Sequence, residues 1–553
     1  MEELYNFWYE NRNLWFNATA EDDSRINEIF GKFFDEIIGI EEMLENRKRA
    51  VGTVILYDQI SRHISRANDK VTLFKMPIDK YNFAKKTSEL AVECAEKVYS
   101  HYNHALFADE YVFVMLPLRH SYDFNKIKFV MSETWNRIKH ERESSEIEKY
   151  RKFLKATYER TIKQSNDSQA IKFYPKNEKK EHIEENIKFK ELYTKYREIL
   201  DAYENTMLAE DIESELKLKY KKQVNLDFMS KFKEVYNKLP KVSFLMSISG
   251  GVDSMVCSYV LKKLNAPFKC VHINYNNRKE SELEENFVIE WCNLINVDLY
   301  IRKIDEINRP ICMSYNLREI YESYTRDVRY KTYINVDREA YVILGHNQDD
   351  CFENILTNIS HKAKYDNLYG MSLISPIKYH INTINFVRPM LDIPKKEIYE
   401  FATVSNIPFL WDSTPKWSQR GKIRDEVRPT LESWDKEMVS GLFEVTNMLK
   451  ESLELVDTLV NTWKEKIVDN ILTCDKDDIS NNKIFWKKLF EKKNFRVTTK
   501  SLEGFIELIN KIKENKINVD INAFVNYELN KTLQIRIKKL KENKIEIYFK
   551  KRV

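Results

Sequence analysis

A chain of 553 residues is too long for one compact core and, at about 100–200 residues per domain, predicts three or four folding units. Its 43% hydrophobic, 13% aromatic and 32% charged residues exclude a largely disordered protein, and no apolar run reaches the roughly 18 residues of a membrane span, so a cytoplasmic protein without signal peptide or membrane partner is expected. The net charge of +4 is unevenly spread: residues 481–553 hold 19 Lys or Arg against 8 Asp or Glu, an excess that suits a polyanionic partner, although solvated lysines explain most such runs.

Residues 1–225 read as all-helical. Arg25–Leu44, Lys85–His101 and Ser144–Lys163 place apolar residues three and four apart, and no stretch alternates as a strand would. The polar segment Ser165–Glu185 reads as an exposed loop. Two turn-like patches stand out, GTVILYDQISRHISR at 52–66 and FVMLPLRHS at 113–121. Within them His63, Arg119 and His120 suit either a binding site or the commoner buried and capping roles.

At Lys241 the pattern changes. VSFLMSIS (242–249), FKCVHIN (268–274), VDLYIRKI (297–304) and YVILGH (341–346) are apolar runs, and between them lie helical patterns such as ESELEENFVIEWCNLI and Leu317–Val336. A further helix is expected from Asp350 to Ser360. This alternation predicts a central α/β doubly wound parallel sheet over 238–431, which binds ligands at the carboxyl ends of its strands. Residues 432–475 read as a helical linker, and 476–553 as a small basic α+β domain with a helix at SLEGFIELINKIKEN and strands at TLQIRIKKL and KIEIYFKK.

The seven cysteines include no pair separated by only two residues, which argues against a disulfide framework or a paired-cysteine zinc site. Glycine is scarce for a chain of this length. Of only 10, five (Gly250, Gly251, Gly345, Gly370, Gly421) fall in the central region, where each is expected to sit where a side chain cannot. The first apolar run ends in Ser249-Gly250-Gly251-Val252-Asp253-Ser254, directly before a helix. Glycines that admit a phosphate, donor hydroxyls and amides, and the positive end of a helix dipole together make an anion cradle. It lacks the Gly-Lys-Ser/Thr ending of a Walker loop, so transfer of a γ-phosphoryl group is not implied.

This loop resembles that of the N-type ATP pyrophosphatases, or PP-loop enzymes, with an adenine nucleotide α-hydrolase-like fold. The resemblance implies that Ser249, Gly250, Gly251, Val252, Asp253 and Ser254, with His272 and Asn274, bind ATP. Three later motifs follow in order: Arg326-Asp327-Val328-Arg329-Tyr330, Gly345-His346-Asn347-Gln348-Asp349-Asp350-Cys351-Phe352-Glu353, and Arg388-Pro389-Met390-Leu391. Together they resemble the tRNA(Ile)-lysidine synthetases over about 241–431. Two stretches depart from that pattern: Gly421 stands where an Asn is usual between Arg420 and Arg424, and His272-Ile273-Asn274-Tyr275 replaces a His-Gly-Leu-Arg ending. The N-terminal patches resemble a bacterial all-helical, TPR-like family of unknown function, which implies a superhelical scaffold.

What the resemblance implies is ATP-dependent adenylation of the C2 carbonyl of a tRNA wobble cytidine, then attack by free lysine to form lysidine. Mg2+ held by Asp253 is implied on the departing pyrophosphate. The lysine ammonium, with its pKa of about 10.4, needs a carboxylate to deprotonate it. Asp350 and Glu353 are implied for that, although both also suit a helix N-terminus. His346 is implied to orient the base or phosphate, Arg329 to stabilise charge, and Arg388, Arg420 and Arg424 to hold tRNA; arginines such as Arg326 and Arg329 equally suit surface ion pairs. Cys351 reads as a small buried residue. Two other functions remain open: tRNA thiolation by a related adenylating enzyme, and an ATP-dependent tRNA-binding scaffold without catalysis.

Overall fold

The computed structural model describes residues 1–68, 70–165, 167–176, 185–196, 218–361, 368, 370–410, 419–495, 497–517, 523–530, 533–540 and 543–551. The chain divides into two compact units, residues 1–347 with 373–413, and residues 348–372 with 414–553.

In the first unit the N-terminal region is mainly helical, with a core built on Trp8, Phe30, Phe34, Val54, Ile60, Phe83, Tyr111 and Met131. Helix Lys80–Tyr102 starts on an Asp79 side-chain cap, and Ala108–His120 and Phe124–His140 follow it. Two expectations are corrected here. The stretch expected as one helix from Arg25 to Leu44 breaks after Phe30 into a tighter turn, Gly31–Phe34, and resumes only at Ile40. The region is also not wholly helical, because β1 (Lys70–Leu73) and β2 (Met76–Asp79) pair as an antiparallel hairpin.

The central sheet has seven strands: β3 (Ile171–Tyr174), β4 (Phe244–Ser247), β5 (Phe268–Asn274), β6 (Leu299–Lys303), β7 (Tyr341–Ile343), β8 (Ile374–Tyr379) and β9 (Asn382–Val387), in the order β3-β6-β5-β4-β7-β9-β8. The five inner strands are parallel and the two edges antiparallel. Among the inner strands the order turns back between β4 and β7. That is the switch point of a doubly wound sheet, where a crevice opens beyond the strand ends. Phe244, Leu245 and Met246 of β4 are buried, as a strand covered on both faces requires.

Edge strand β3 lies within Ser165–Glu185, the segment expected as a loop. It pairs Ile171 with Arg302 and Tyr174 with Leu299. A polar edge strand with one neighbour carries little hydrophobic signal, and the pairing partner is remote in sequence. The helix Leu218–Asn237 runs through the expected boundary at 225 and packs on the nucleotide domain, its Phe228 ring stacked on Phe401 at 4.3 Å.

The helical region and the sheet share one core through a buried polar network. Arg302, at the end of β6, pairs with Glu306 at 2.5 Å, and both side chains are almost wholly buried. The Tyr324 hydroxyl donates to the Glu306 carboxylate at 2.7 Å, and the Tyr158 hydroxyl donates to the Glu306 carbonyl at 3.0 Å. Trp135 Nε1 in turn donates to Tyr158 at 2.9 Å.

In the second unit, helix Met438–Glu465 leads into an antiparallel sheet of β10 (Ile467–Val468), β11 (Ile471–Asp475), β12 (Val525–Asn530), β13 (Leu533–Lys539) and β14 (Lys544–Lys551), ordered β10-β11-β14-β13-β12. Helices Lys483–Lys492 and Thr499–Lys513 pack with this sheet around Trp486, Phe490 and Phe505. Residues 432–475 are therefore not all helical: β10 and β11 belong to the C-terminal sheet.

Replacing one member of a buried ion pair strands the other. Arg302→Met should lower unfolding free energy by about 3–5 kcal/mol, measured by urea titration of the full chain, because Glu306 is left buried without its partner. A loss near zero would remove the pair from the core's support.

Candidate active site

The loop after β4 is built around hydroxyls that turn inward. The Ser249 amide donates to Ser254 Oγ at 3.1 Å, Ser254 Oγ donates to the Gly251 carbonyl at 2.9 Å, and the Gly251 amide reaches Ser249 Oγ at 3.3 Å. Helix Val252–Lys263 begins on Gly251 with no side-chain cap. Its first amides have no acceptor within the helix, so they and the dipole end are free to meet an anion. Gly250 has φ +87°, and a Cβ there would lie 2.7 Å from Leu410 Cδ1. The Leu410 amide bonds the Gly250 carbonyl at 2.9 Å and stitches the loop to the segment after helix Lys395–Val404.

Across the switch point, the loop after β7 comes against the start of that helix. A Cβ on Gly345 would sit 3.1 Å from both the backbone carbon of Asp253 and the Ser254 amide nitrogen. Next to it, Asn347 Nδ2 donates to Asp253 Oδ1 at 2.9 Å, while Lys395 Nζ pairs with Oδ2 at 2.5 Å. Lys395 was not singled out from the sequence. Its partner lies 142 positions away, and a lysine opening an amphipathic helix carries no local mark.

His346 and Arg388 come together beside this clamp. Arg388 Nε donates to His346 Nδ1 at 3.1 Å, so a neutral ring carries its proton on Nε2. Arg388 Nη1 also donates to Ser375 Oγ at 3.0 Å, and the residue is 8% exposed. Expected on tRNA, it lies here in the interior, where it orients the imidazole. His272 and Asn274, expected to touch ATP, are likewise buried. His272 Nδ1 donates to the Ile248 carbonyl at 2.9 Å, and burial holds the imidazole below its usual pKa of 6.5. Asn274 gives Nδ2 to Glu285 at 2.6 Å and to the Ser281 carbonyl, and takes the Asn276 amide at 2.8 Å. His272 braces the residue that leads into the cradle, and Asn274 braces the turn that follows β5.

Arg329 lies on helix Arg318–Val336, whose Tyr333 hydroxyl meets Ser247 Oγ at the end of β4 at 2.8 Å. Its guanidinium lies 5.5 Å from the centre of the Tyr330 ring, and its buried Nε has no hydrogen-bond partner among the described residues. Arg326, on the same helix, is exposed.

A second cluster forms within residues 348–372 and 414–434. Glu353, 2% exposed, accepts Arg424 Nε at 3.1 Å and Nη2 at 2.8 Å, with Arg420 Nε at 3.5 Å. Burial raises its carboxyl pKa while Arg424 opposes the rise. Glu353 is thus no lone base, and the two arginines expected on tRNA spend part of their charge on it. Arg428 Nη1 pairs with Asp349 at 2.5 Å. The stretch from Asp412 to Ser418 lies outside the described residues.

Residues 224–431 match the family profile of the PP-loop domain, and residues 4–204 match that of a bacterial protein of unknown function (DUF924). The central α/β part is therefore a PP-loop domain. Three curated relatives share one name. The tRNA(Ile)-lysidine synthase of Mesoplasma florum is 28% identical over 360 residues, 52% of this chain and 87% of the relative; that of Malacoplasma penetrans is 24% identical over 53% and 98%. The Chlamydia muridarum enzyme of the same name is 27% identical over 42% of this chain and 70% of its own length.

A histidine kept neutral by burial contributes stability that is complete above pH 6.5 and is lost as pH falls toward its lowered folded value. His272→Asn, which keeps a donor for the Ile248 carbonyl, should flatten the fall in unfolding midpoint between pH 6.5 and 5 relative to the parent. Parallel curves for the two proteins would remove His272 as the source of that slope.

Proposed function

We propose that this protein is an ATP-dependent tRNA-modifying ligase. It adenylates the C2 carbonyl oxygen of a wobble cytidine and joins the ε-amine of free lysine at C2 to give lysidine. The observation that carries this reading is the uncapped loop Ser249–Ser254 at the switch point, with Asp253 held by Asn347 and Lys395, in a domain whose curated relatives are tRNA(Ile)-lysidine synthases. That shared name favours lysidine formation over thiolation and over a catalytically silent scaffold.

In the first step the cytidine oxygen bonds to the α-phosphorus of ATP and pyrophosphate leaves. In the second, the lysine amine bonds to C2, its proton passes to a base, and AMP leaves. The cradle amides and the Lys395 ammonium hold the negative charge of the polyphosphate. Arg329, with its unpartnered Nε, donates to an oxygen that gains charge during transfer. His346 is set by Arg388 to offer Nε2–H to the nucleotide or the base. Asp350 and Glu353 are the carboxylates proposed for the lysine ammonium, and Glu353 is also engaged by Arg424 and Arg420.

Among the described residues no group of three or more His, Cys, Asp or Glu is placed to hold a metal ion. Asp253, oriented by Asn347 and Lys395, would be the protein ligand of a Mg2+ ion, which would supply further neutralisation of the pyrophosphate. The basic C-terminal domain, with Arg420 and Arg424, is proposed to meet tRNA phosphates, and the N-terminal helices to act as a TPR-like scaffold. No described helix is long and apolar enough to cross a membrane, and the compartment proposed is the cytoplasm.

Two measurements test this. Nucleosides from tRNA incubated with the protein, ATP, Mg2+ and free lysine should show a lysine adduct by mass spectrometry, whereas a sulfur adduct or unmodified cytidine would overturn the reading. Asp253→Ala should reduce ATP–pyrophosphate exchange by about a hundredfold or more while tRNA is still retained on a filter. Exchange at the parental rate would exclude Asp253 from the adenylation step.

A further inference from the structure

The two N-terminal patches, 52–66 and 113–121, take no part in the nucleotide site, yet the fold brings them together. Asp58 lies in a π-helical turn, Leu56–Ile60, and is 2% exposed. Arg62, one turn on, gives it Nη2 at 3.0 Å and gives Nε to its backbone carbonyl at 3.0 Å. From the neighbouring helix, His120 faces the same carboxylate at 3.4 Å. Arg119 lies beside His120 and over the Phe153 ring at 5.1 Å, and its buried Nε has no hydrogen-bond partner among the described residues. Arg160, in a second π-helical turn, Thr157–Thr161, adds its charge to that of Arg119. Interruptions of this kind gather at functional sites, because they re-aim side chains at a cost in regular hydrogen bonding.

Two features distinguish this cluster from an ordinary ion pair. Asp58 pairs with Arg62 and draws on Arg119, while Arg160 adds its own charge beside Arg119, so positive charge is in surplus. Burial, with Arg160 and Arg62 nearby, pushes the Arg119 pKa down to about 10. The hydrogen bonding is also in conflict. Arg62 Nη2 stands 2.9 Å from His120 Nδ1, and Arg119 Nη2 stands 3.4 Å from Nε2. A guanidinium only donates, and a neutral imidazole has one acceptor nitrogen, so one of these contacts sets N–H against N–H. The nearby Asp23 group differs in charge: Asp23 takes two bonds from Arg66 at 2.8 Å each and one from His63 at 2.6 Å, which leaves that group neutral although Arg66 Nη2 also stands 2.8 Å from His63 Nδ1.

We propose that Arg62, Arg119, His120 and Arg160 form a binding site for a terminal phosphate dianion, with Asp58 fixing the first guanidinium in place. Two guanidinium forks match its several oxygens, its charge matches the surplus, and an oxyanion between the arginines and the ring relieves the donor conflict. The site opens to solvent at Arg62, whose side chain is 45% exposed. Such a phosphate is found on small phosphorylated metabolites and at the 5′ end of an RNA.

The test is calorimetric titration of inorganic phosphate into the full chain carrying Gly250→Val, which deforms the nucleotide loop, so the remaining heat reports the N-terminal site. That heat should weaken by about tenfold or more in affinity when Arg119→Met is added, and likewise with Arg160→Gln, an exposed position whose replacement strands no buried carboxylate. Displacement of phosphate by 5′-phosphorylated tRNA, and not by the dephosphorylated form, would identify an RNA end as the ligand; displacement by neither would identify a small phosphorylated molecule, and both support the site. No remaining heat, or heat that both substitutions leave unchanged, would overturn it.

Discussion

The reactive geometry rests on the approach of two strand-end loops across the switch point of the sheet. Parallel strands whose order reverses leave their carboxyl-terminal loops diverging, and the crevice between them is usable only if one loop can touch the other without a side chain in the way. Gly345 supplies that contact against Asp253 and Ser254. Gly250 supplies the left-handed turn that lets the first loop fold over Leu410. A chain that rarely uses glycine places two of its few where the cradle needs them.

Once the loops meet, charge has to be arranged in a confined space. Asp253 is held between an amide and an ammonium, so its oxygens are oriented before any nucleotide arrives. His346 is oriented in the same way by Arg388. In each case a long basic side chain from beyond β7 reaches a polar group near the strand ends, and the group that chemistry needs does not have to reorganise. Glu353 follows a different logic: a buried carboxylate persists because Arg424 and Arg420 compensate it.

The N-terminal helical region is fused to the nucleotide domain rather than tethered to it. Tyr158 and Trp135 on one side, and Arg302, Glu306 and Tyr324 on the other, form one buried network. Tyr324 and Arg329 share a helix, so the support of the helical region reaches the element that presents a catalytic candidate. Edge strand β3 adds a backbone connection to the same sheet.

The four inner strands β4 to β7, their helices and the phosphate loop were legible in the chain by itself. Strands covered on both faces read as unbroken apolar runs, and a loop that must admit an anion shows as paired glycines among hydroxyls. The edge strand β3 and the β8–β9 hairpin were not legible, since half-exposed strands with polar residues carry little hydrophobic period. Nor were the partnerships of Asp253 with Lys395, His346 with Arg388, or Glu353 with Arg424, because an ion pair between residues far apart in sequence leaves no periodic trace. Residue type limits what chemistry a side chain can perform; whether Arg388 faces RNA or the interior, and whether Glu353 is a free base or a compensated charge, depends on which groups the folded backbone sets beside it.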